Sequence, residues 1–419
     1  MSVLEAGIVW RMDEHVNKIV QTLHRGVYLI IRPKNSEKTS NTGLGAAEWG
    51  RYTAAPMTQR TLTLIAGLAV LVTASATIQA RQDASLSAAT RQKLMASLSK
   101  GAAYLHQQQK PNGTFDPHPG LTSMAAAALL RQPGARDKEL ATVGKSLDYL
   151  KTLAKPDGGI YEKMIPHYIT AVAVQALAAG GRAADKPTIE KARKYLADHL
   201  LDEGEGIQKS DKFYGGMGYG GTSDGGIADI ISLEYGLRAM KEADLPANDP
   251  AWQKAIQFLQ RTQNFKETND QPNAGNDGGF IYYPGYSQVE GTTTSYGSGT
   301  YAGLLSYSWS NLQKNDRRVV AAFKWIGEHY TLDENPGIGQ KAVYYYYMVF
   351  AKALQAMGEP IITDSKGVKH NWREELAAKL MSLQGADGSW VNDKNPAEMQ
   401  GNKTLVTSFT MMAIEAILQ

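Results

Sequence analysis

The side chains best suited to acid–base chemistry lie at or beside the starts of apolar runs in the sequence. In YEKMIPHYITAV, His167 follows Pro166 and Glu162 lies one loop or turn away, so the imidazole and the carboxylate could act as a general acid–base pair. In ADIISLEYGL, Asp229 and Glu234 could both line a cavity as buried acids. Simpler interpretations stay open, because His167 could be an ordinary residue of a first helical turn and Asp229 could cap the free N–H groups of a helix.

These runs belong to a repeated pattern that requires two helices per copy. The pattern of KGAAYLHQQQKPNGTF (100–115) is Lys, a small residue, an aromatic–aliphatic pair, Gln, Gly and a closing aromatic residue at fixed spacing. Whole, partial or weaker copies lie at 145–160, 191–200, 254–280, 321–330 and 380–390. Each copy is followed by an apolar run rich in small residues, at 122–130, 170–177, 228–237, 299–307, 345–354 and 409–417. The anchor positions lie 45 to 67 residues apart, which is too long for one helix and suits two.

Each position of the repeat has a physical role. The aromatic–aliphatic pair packs an outer helix on its partner, Gly ends that helix, Gln can bond to backbone groups of a neighbouring helix end, and the last aromatic residue fills the gap between repeats. The residues at these positions are Tyr104, Gln109, Gly113, Phe115, Tyr149, Gly158, Phe258, Gln263, Gly278, Phe280, Gln384, Gly388 and Trp390. One helix pair cannot bury its own apolar face, so the pairs must stack. The sequence therefore predicts an all-α protein, an α/α toroid of about six repeats with solvent-facing outer helices and small-residue-rich inner helices.

The repeat resembles the QW repeat of squalene and oxidosqualene cyclases. The resemblance rests on the spacing of Gln, Gly and an aromatic residue in 109–115 and again in 384–390. More broadly, most of residues 95–419 resembles the prenyltransferase and squalene oxidase repeat superfamily, whose members are α/α toroids. This resemblance implies a central cavity that takes an apolar, isoprenoid ligand.

The catalytic residues of that superfamily are mostly missing. Hopene-type cyclases protonate an alkene with an Asp-x-Asp-Asp motif at the start of an inner helix, and the matching slot here is residues 226–229. Only Asp229 agrees with the motif, since Ala228 takes the proton-donating position and Asp224 lies off register. Protein prenyltransferases require a zinc site that includes Cys, and the chain has no Cys. We therefore expect a ligand-binding protein without standard cyclase catalysis; the alternative is an active cyclase or transferase that uses Asp224 and Asp229 as displaced acids.

In a toroid, the turns that precede the inner helices all open at one end of the ring. The partial positive charge of the helix N-termini adds to whatever polar residues gather at this mouth. The residues predicted there are His118, Glu162, His167, Asp224, Asp229, Tyr296 and Lys403. The predicted ligand contacts are Glu234, Tyr296, Tyr301, Tyr345 and Lys403, although simple packing also explains the run YYYY (344–347). The eight His residues lack metal-ligand spacing, so we expect neither a metal nor a cofactor.

The N-terminal region contains a pattern typical of a targeting signal, although it begins at Met57 rather than at the first residue. From Met57, the segment MTQRTLTLIAGLAVLVTASATIQA has a basic start, an apolar stretch and small residues before a cleavage site near Ala76 or Ala80. We predict a spurious or disordered extension over 1–56, a signal peptide over 57–80 and one toroid domain over 85–419. The chain would then be exported. The alternative is an uncleaved membrane anchor, which would be its one contact with a membrane.

The amino-acid composition argues against some classes of binding partner. The net charge of +3 is spread over interspersed charges, so nucleic acid is an unsuitable partner. The remaining partners are an apolar small molecule or a glycan. A glycan is a candidate because α/α toroids also occur among polysaccharide lyases and because the 21 Tyr residues suit stacking on sugars. The other alternative is a toroid that binds a protein. Whether the protein is an enzyme stays open at this stage.

Overall fold

The computed structural model describes residues 85–220 and 227–419, and it confirms the predicted ring of helix pairs. The predicted extension over 1–56, the signal peptide over 57–80 and Asp224 lie outside the described residues. Within the described ranges, twelve α-helices alternate between an outer and an inner layer. The sheet content there is a single short hairpin, β1 (Ile362–Thr363) paired antiparallel with β2 (Lys369–His370).

The helices follow the repeat order. The outer helices are α1 (Ala88–Gln108), α3 (Arg136–Thr152), α5 (Lys186–Asp198), α7 (Pro250–Thr262), α9 (Arg317–Glu328) and α11 (Trp372–Ser382). The inner helices are α2 (Pro119–Leu130), α4 (Pro166–Gly180), α6 (Ile230–Glu242), α8 (Gly297–Trp309), α10 (Val343–Ala356) and α12 (Lys403–Leu418). In the described part of the chain, none of them has both the length and the hydrophobicity that a membrane span requires.

The inner helices form a closed ring. Each packs on the next, and α12 packs back on α2. All twelve residues of α2 are buried, and eleven of the thirteen residues of α8 are buried as well. Ala, Gly, Ser and Thr allow these helices to approach closely, whereas the outer helices bury one face, as α7 does with Trp252, Phe258 and Leu259.

Local sequence signals fix where the helices begin. The carboxylate of Asp249 accepts the backbone N–H of Ala251 at 2.9 Å, and Pro250 occupies the first turn of α7. Asp316 caps α9 in the same way, and Asn402 caps α12. Such caps satisfy N–H groups that have no partner within the helix. They therefore define the first residues of both outer and inner helices.

In five of the repeat turns, a Gly packs on the following outer helix. Gly113 has φ +89 and lies against the backbone of Lys145, and Gly278 does the same against Ala321. Gly388 closes the ring, because a Cβ at that position would lie 2.6 Å from the carbonyl oxygen of Lys100 in the first repeat. Only a residue without a Cβ fits this approach at positive φ.

The repeat Gln residues link neighbouring outer helices. The Gln109 side chain donates to Thr142 O at 3.2 Å, and Gln263 donates to Arg318 O at 2.8 Å. Gln384 donates to Ser97 O at 2.9 Å and so joins the last repeat to the first. A further link was not predicted: the closing residue of four repeats donates its backbone N–H to a Thr hydroxyl on the next inner helix. The pairs are Phe115–Thr122, Ile160–Thr170, Phe280–Thr300 and Trp390–Thr407.

Candidate functional site

A cavity of about 230 Å³ lies at the end of the ring where the inner helices begin. Every inner helix contributes a side chain from its first turns or its cap, so the whole ring builds the walls. Six Tyr side chains dominate these walls: Tyr168, Tyr219, Tyr235, Tyr282, Tyr296 and Tyr345. Apolar side chains fill the spaces between them: Leu121, Ile165, Ile231, Ile338, Leu405 and Phe409. We call this site the tyrosine cavity.

Two of the Tyr hydroxyls in this wall have no hydrogen-bond partner among the described residues. Tyr296 is the N-cap residue of α8 and Tyr345 lies in the first turn of α10. Both hydroxyl oxygens are buried. Burial raises the pKa of each phenol well above its ordinary value, so both stay protonated and can donate. Leaving such a group unsatisfied costs about 1–3 kcal/mol, and a bound oxygen atom would recover that cost.

His118 contributes a neutral imidazole to the wall. Its Nδ1 accepts the backbone N–H of Gly120 at 3.1 Å, so the neutral ring carries its proton on Nε2. Burial lowers the pKa of His118, although Asp116 and Glu162 act in the opposite direction. The imidazole is therefore a neutral N–H donor on the wall at neutral pH.

The one charged pair on the cavity wall lies on the loops that precede the inner helices, as far as the described residues extend. Lys341 Nζ lies 3.2 Å from Glu398 Oε1 and donates to Gln288 Oε1 at 2.9 Å. These residues come from the loops before α10, α12 and α8 and hold those loops together. The polar rim contrasts with the aromatic and aliphatic interior.

Backbone strain is concentrated around the same cavity. Six non-glycine residues of the described ranges have positive φ, and four of them line the tyrosine cavity. These four are Ile165 (φ 44), Ala342 (φ 53), Glu398 (φ 55) and Met399 (φ 59). A β-branched residue such as Ile165 rarely adopts this conformation, and such strain persists where surrounding structure enforces it, most often at functional sites.

Asp229 lies behind the cavity wall as the N-cap of α6. Its Oδ1 accepts the backbone N–H groups of Ile231 at 2.9 Å and Ser232 at 2.8 Å, and its Oδ2 accepts the Ser232 hydroxyl at 2.7 Å. Burial raises the pKa of Asp229 to about 6, although these hydrogen bonds and the hydroxyl of Tyr282 lower it. Asp229 does not line the cavity itself, whereas Tyr282, whose hydroxyl interacts with it, does.

His167 and Glu162, the predicted acid–base pair, each contact other residues. The ring of His167 packs on His199 at 5.0 Å and on Tyr195 at 5.8 Å between centroids, and its Nδ1 lies 3.3 Å from Gly218 O. Glu162 is exposed and accepts the hydroxyl of Tyr149 at 3.0 Å. Neither side chain lines the tyrosine cavity.

Two predicted ligand contacts, Tyr301 and Lys403, lie away from the tyrosine cavity. Tyr301 lies five positions after Tyr296 on α8, about 140° around the helix, and packs on Phe350 with ring centroids 4.8 Å apart. Lys403 begins α12 but turns outward, where its Nζ lies 2.8 Å from Asp387 Oδ2 of the repeat turn. Neither residue lines the cavity wall.

Glu234 is buried in α6 beneath the cavity rather than on its wall. Neither of its carboxylate oxygens has a hydrogen-bond partner in the described structure. Burial raises the pKa of Glu234 to about 7, although Arg238, Lys352 and the indole of Trp309 lower it. Glu234 therefore changes charge near neutral pH.

Several wall residues were not predicted from the sequence. Tyr168 and Tyr235 have a detectable signal, since both lie within two turns of an inner-helix start. Lys341 and Glu398 have none, because two loops distant in sequence bring them together. Within the described ranges, no three His, Asp or Glu side chains are grouped as metal ligands.

The chain has a terpenoid cyclase-like α/α toroid fold. It superposes on an apo Tyr-to-Phe variant of the type II terpene cyclase MstE from Scytonema with a TM-score of 0.50 and 15% identity, over 79% of this chain and 99% of that one. An MstE variant in complex with merosterolic acid A aligns with a TM-score of 0.49 and 15% identity, over 80% of this chain and 99% of that one. A glycosidase variant in complex with glucose aligns with a TM-score of 0.48 and 13% identity, over the same shares of the two chains. The sequence matches no protein family model and no curated protein, so the similarity establishes the fold alone.

Proposed function

We propose that the protein binds a small amphipathic molecule, with an apolar, isoprenoid-like body and at least one oxygen atom, in the tyrosine cavity. The single observation behind this proposal is the pair of buried hydroxyls of Tyr296 and Tyr345, which have no partner among the described residues and lie in a largely aromatic and aliphatic wall. An apolar body replaces water against the rings, and an oxygen atom accepts the two O–H groups.

The cavity size sets a limit on the ligand. Its volume of about 230 Å³ exceeds the roughly 150 Å³ of an engineered cavity that binds benzene, and it falls below the roughly 300–1,000 Å³ of sites for drug-sized ligands. A ligand, or the buried part of one, with one or two rings or a short isoprenoid chain suits this volume. A whole triterpene does not.

The described acids argue against standard cyclase chemistry. A proton donor to an alkene must be protonated and must face the substrate. Asp229 accepts three hydrogen bonds from α6, lies behind Tyr282, and with a pKa of about 6 is ionised at neutral pH. Ala228 occupies the position of the donor in the cyclase motif. We therefore propose binding without cyclisation.

Matched ligands test the binding. Calorimetric titration with farnesol and with farnesene compares an alcohol with a hydrocarbon of the same skeleton. The alcohol should bind about tenfold more tightly, and the double variant Tyr296→Phe/Tyr345→Phe should abolish that preference. Tyr346→Phe is the matched control, because its hydroxyl donates to Thr331 O at 2.7 Å outside the cavity. Equal affinity for the two ligands in the unaltered protein would reject the proposal.

The alternatives give different outcomes in the same preparation. If the protein is a cyclase with displaced acids, incubation with polyprenyl substrates yields cyclic products that the double variant Asp224→Asn/Asp229→Asn no longer forms. If the partner is a glycan, glucose or a short oligosaccharide binds and farnesol does not. A protein partner would leave both small molecules unbound.

We also propose that the protein is exported by the segment that begins at Met57. This proposal rests on the basic, apolar and small-residue sections of that segment. An exported binding protein would meet its ligand outside the cytoplasm.

A further inference from the structure

A second cavity, of about 110 Å³, lies at the opposite end of the ring, where the inner helices end. Five of the six inner helices contribute to it through Arg131, Arg238, Trp309, Lys352 and Glu415. We call it the arginine cavity. It shares no wall residue with the tyrosine cavity.

Several buried hydrogen-bond donors of the residues that line this cavity have no partner in the described chain. Arg238 is only 1% exposed, and its Nε donates to Glu242 Oε1 at 2.9 Å. Its two terminal nitrogens, NH1 and NH2, are buried and have no partner in the described chain. Nε of Arg131 likewise has no partner, and Nε1 of Trp309 has none that meets hydrogen-bond geometry, although the indole lies close enough to Glu234 to lower the pKa of that carboxyl. Glu242 cannot satisfy them, because its other oxygen, Oε2, already accepts from Arg131 NH2 at 2.5 Å.

Positive side chains outnumber carboxylates among the residues on the wall itself; the buried Glu234 is not on the wall but acts electrostatically on Arg238 and Lys352. Three cationic side chains line the cavity, against two carboxylates, Glu242 and Glu415. Burial raises the pKa of Glu242, but the two Arg residues outweigh burial and lower it to about 2, so this carboxylate is ionised. Both of its oxygens already accept hydrogen bonds from these Arg residues. Lys352 Nζ lies 3.9 Å from Glu415 Oε2, at the edge of ion-pair distance. A buried excess of positive charge is costly unless an anion compensates for it.

We propose that the arginine cavity binds a small oxyanion, either a carboxylate or a phosphate. The free edge of the Arg238 guanidinium presents two parallel N–H groups, the geometry that matches two oxygens of one such group. The indole N–H of Trp309 supplies a further donor. The anion enters from an open groove at this face, which shares Arg131, Glu242 and Glu415 with the cavity.

Calorimetric titration of the full chain with acetate and with inorganic phosphate at pH 6 tests the proposal. Trp309→Phe keeps the ring but removes its N–H group and should weaken binding about five- to tenfold. Trp252→Phe is the matched control. Trp252 lies on the outer helix α7, and its indole N–H donates to Pro246 O at 2.9 Å. Loss of this N–H group should therefore leave the anion affinity unchanged. Equal weakening by both variants, or no binding of either anion to the unaltered protein, would overturn the proposal.

A second measurement does not depend on any variant. Crystals grown with selenate should show anomalous density within hydrogen-bond distance of Arg238, whereas water molecules alone in the cavity would reject the site. Acetate affinity should also fall between pH 6 and pH 8. Burial, reinforced by Arg238, lowers the pKa of Lys352 to about 7, so its positive charge is lost in that range. The other charged groups that act on Lys352 are Arg131, Glu234, Glu242 and Glu415.

Discussion

Two adjacent Tyr residues on α10 have opposite hydrogen-bonding states. The Tyr346 hydroxyl donates to Thr331 O at 2.7 Å, whereas the Tyr345 hydroxyl is buried without a partner in the described residues. Both rings are buried, with Tyr345 at 7% exposure and Tyr346 at 0%. The two residues therefore differ in whether the buried hydroxyl has a hydrogen-bond partner.

This difference predicts opposite effects on stability. Tyr346→Phe should lower the free energy of unfolding by about 1 kcal/mol, because a satisfied buried hydrogen bond is lost. Tyr345→Phe should leave the stability of the ligand-free protein unchanged or raise it by up to about 1 kcal/mol, because an unsatisfied group is removed. Urea unfolding of the two variants measures both values. A larger loss for Tyr345→Phe would mean that its hydroxyl has a partner within the protein.

The raised pKa of Glu234 predicts that the free energy of unfolding depends on pH. Because burial raises the pKa of Glu234 from 4.5 to about 7, the folded chain binds more protons than the unfolded chain between these pH values. Stability is therefore lost as the pH rises through this window. Glu234→Gln should remove that loss and raise the free energy of unfolding at pH 8 by up to about 3 kcal/mol. Urea unfolding at pH 5 and pH 8 provides the measurement.

Glu242 is the control for this prediction, since it lies on the same helix. Burial raises its pKa, but Arg131 and Arg238 outweigh burial and lower it to about 2. Its stabilising effect is present above the ordinary pKa of 4.5 and is lost as the pH falls towards 2. Glu242→Gln should therefore lower the stability at pH 8 by about 3 kcal/mol. Destabilisation of similar size by both variants at pH 8 would contradict the pKa assignment of Glu234.

At the scale of the helices, neighbouring repeats are held together by Gly contacts and, at three junctions, by a Gln side chain. The contact of Gly388 with Lys100 and the hydrogen bond of Gln384 to Ser97 close the ring. Because the last repeat must meet the first, this seam decides whether six helix pairs form a ring or an open stack.

The seam makes Gly388 intolerant of a side chain. Gly388→Ala combines a positive φ of 85 with a close contact to Lys100 O, so it should lower the free energy of unfolding by about 2–4 kcal/mol. Gly367→Ala is the control, because Gly367 has a φ of 80 in the short hairpin and a Cβ there would meet no atom within 4 Å. It should cost about 1 kcal/mol. Thermal or urea unfolding distinguishes the two, and equal costs would show that the contact with Lys100 is unimportant.

The sequence predicted the elements well because their signals are local or periodic. The six helix pairs, the turn Gly residues and the linking role of Gln109 and Gln384 follow from spacing alone. The site was predicted in part. Tyr296 and Tyr345 lie at the cavity, whereas the phase of Tyr301 on its helix turns that side chain away. The strained backbone at Ile165 and the ion pair of Lys341 with Glu398 depend on tertiary contacts that no local pattern records.

At the scale of the whole molecule, the two ends of the ring have different chemistry. The end where the inner helices begin has an aromatic cavity with unpartnered hydroxyls among its described residues, and the end where they finish has a cationic cavity. Glu234 lies between them, and its charge affects both Tyr345 and Arg238.

Export predicts a shortened chain. If residues 57–80 form a signal peptide, protein recovered from the exported fraction should begin close to residue 77 or 81. Mass spectrometry of the N-terminal peptide identifies that residue. A chain that keeps its apolar segment and sediments with membranes would instead indicate an uncleaved anchor.

The measurement that tests the central claim most directly is native mass spectrometry of the full chain, purified without detergent, followed by organic extraction and identification of the released compound. The account predicts one equivalent of a small oxygen-bearing isoprenoid or a similar amphipathic molecule, and its loss from the double variant Tyr296→Phe/Tyr345→Phe. A protein that carries no organic compound and takes up neither farnesol nor any related alcohol would contradict it.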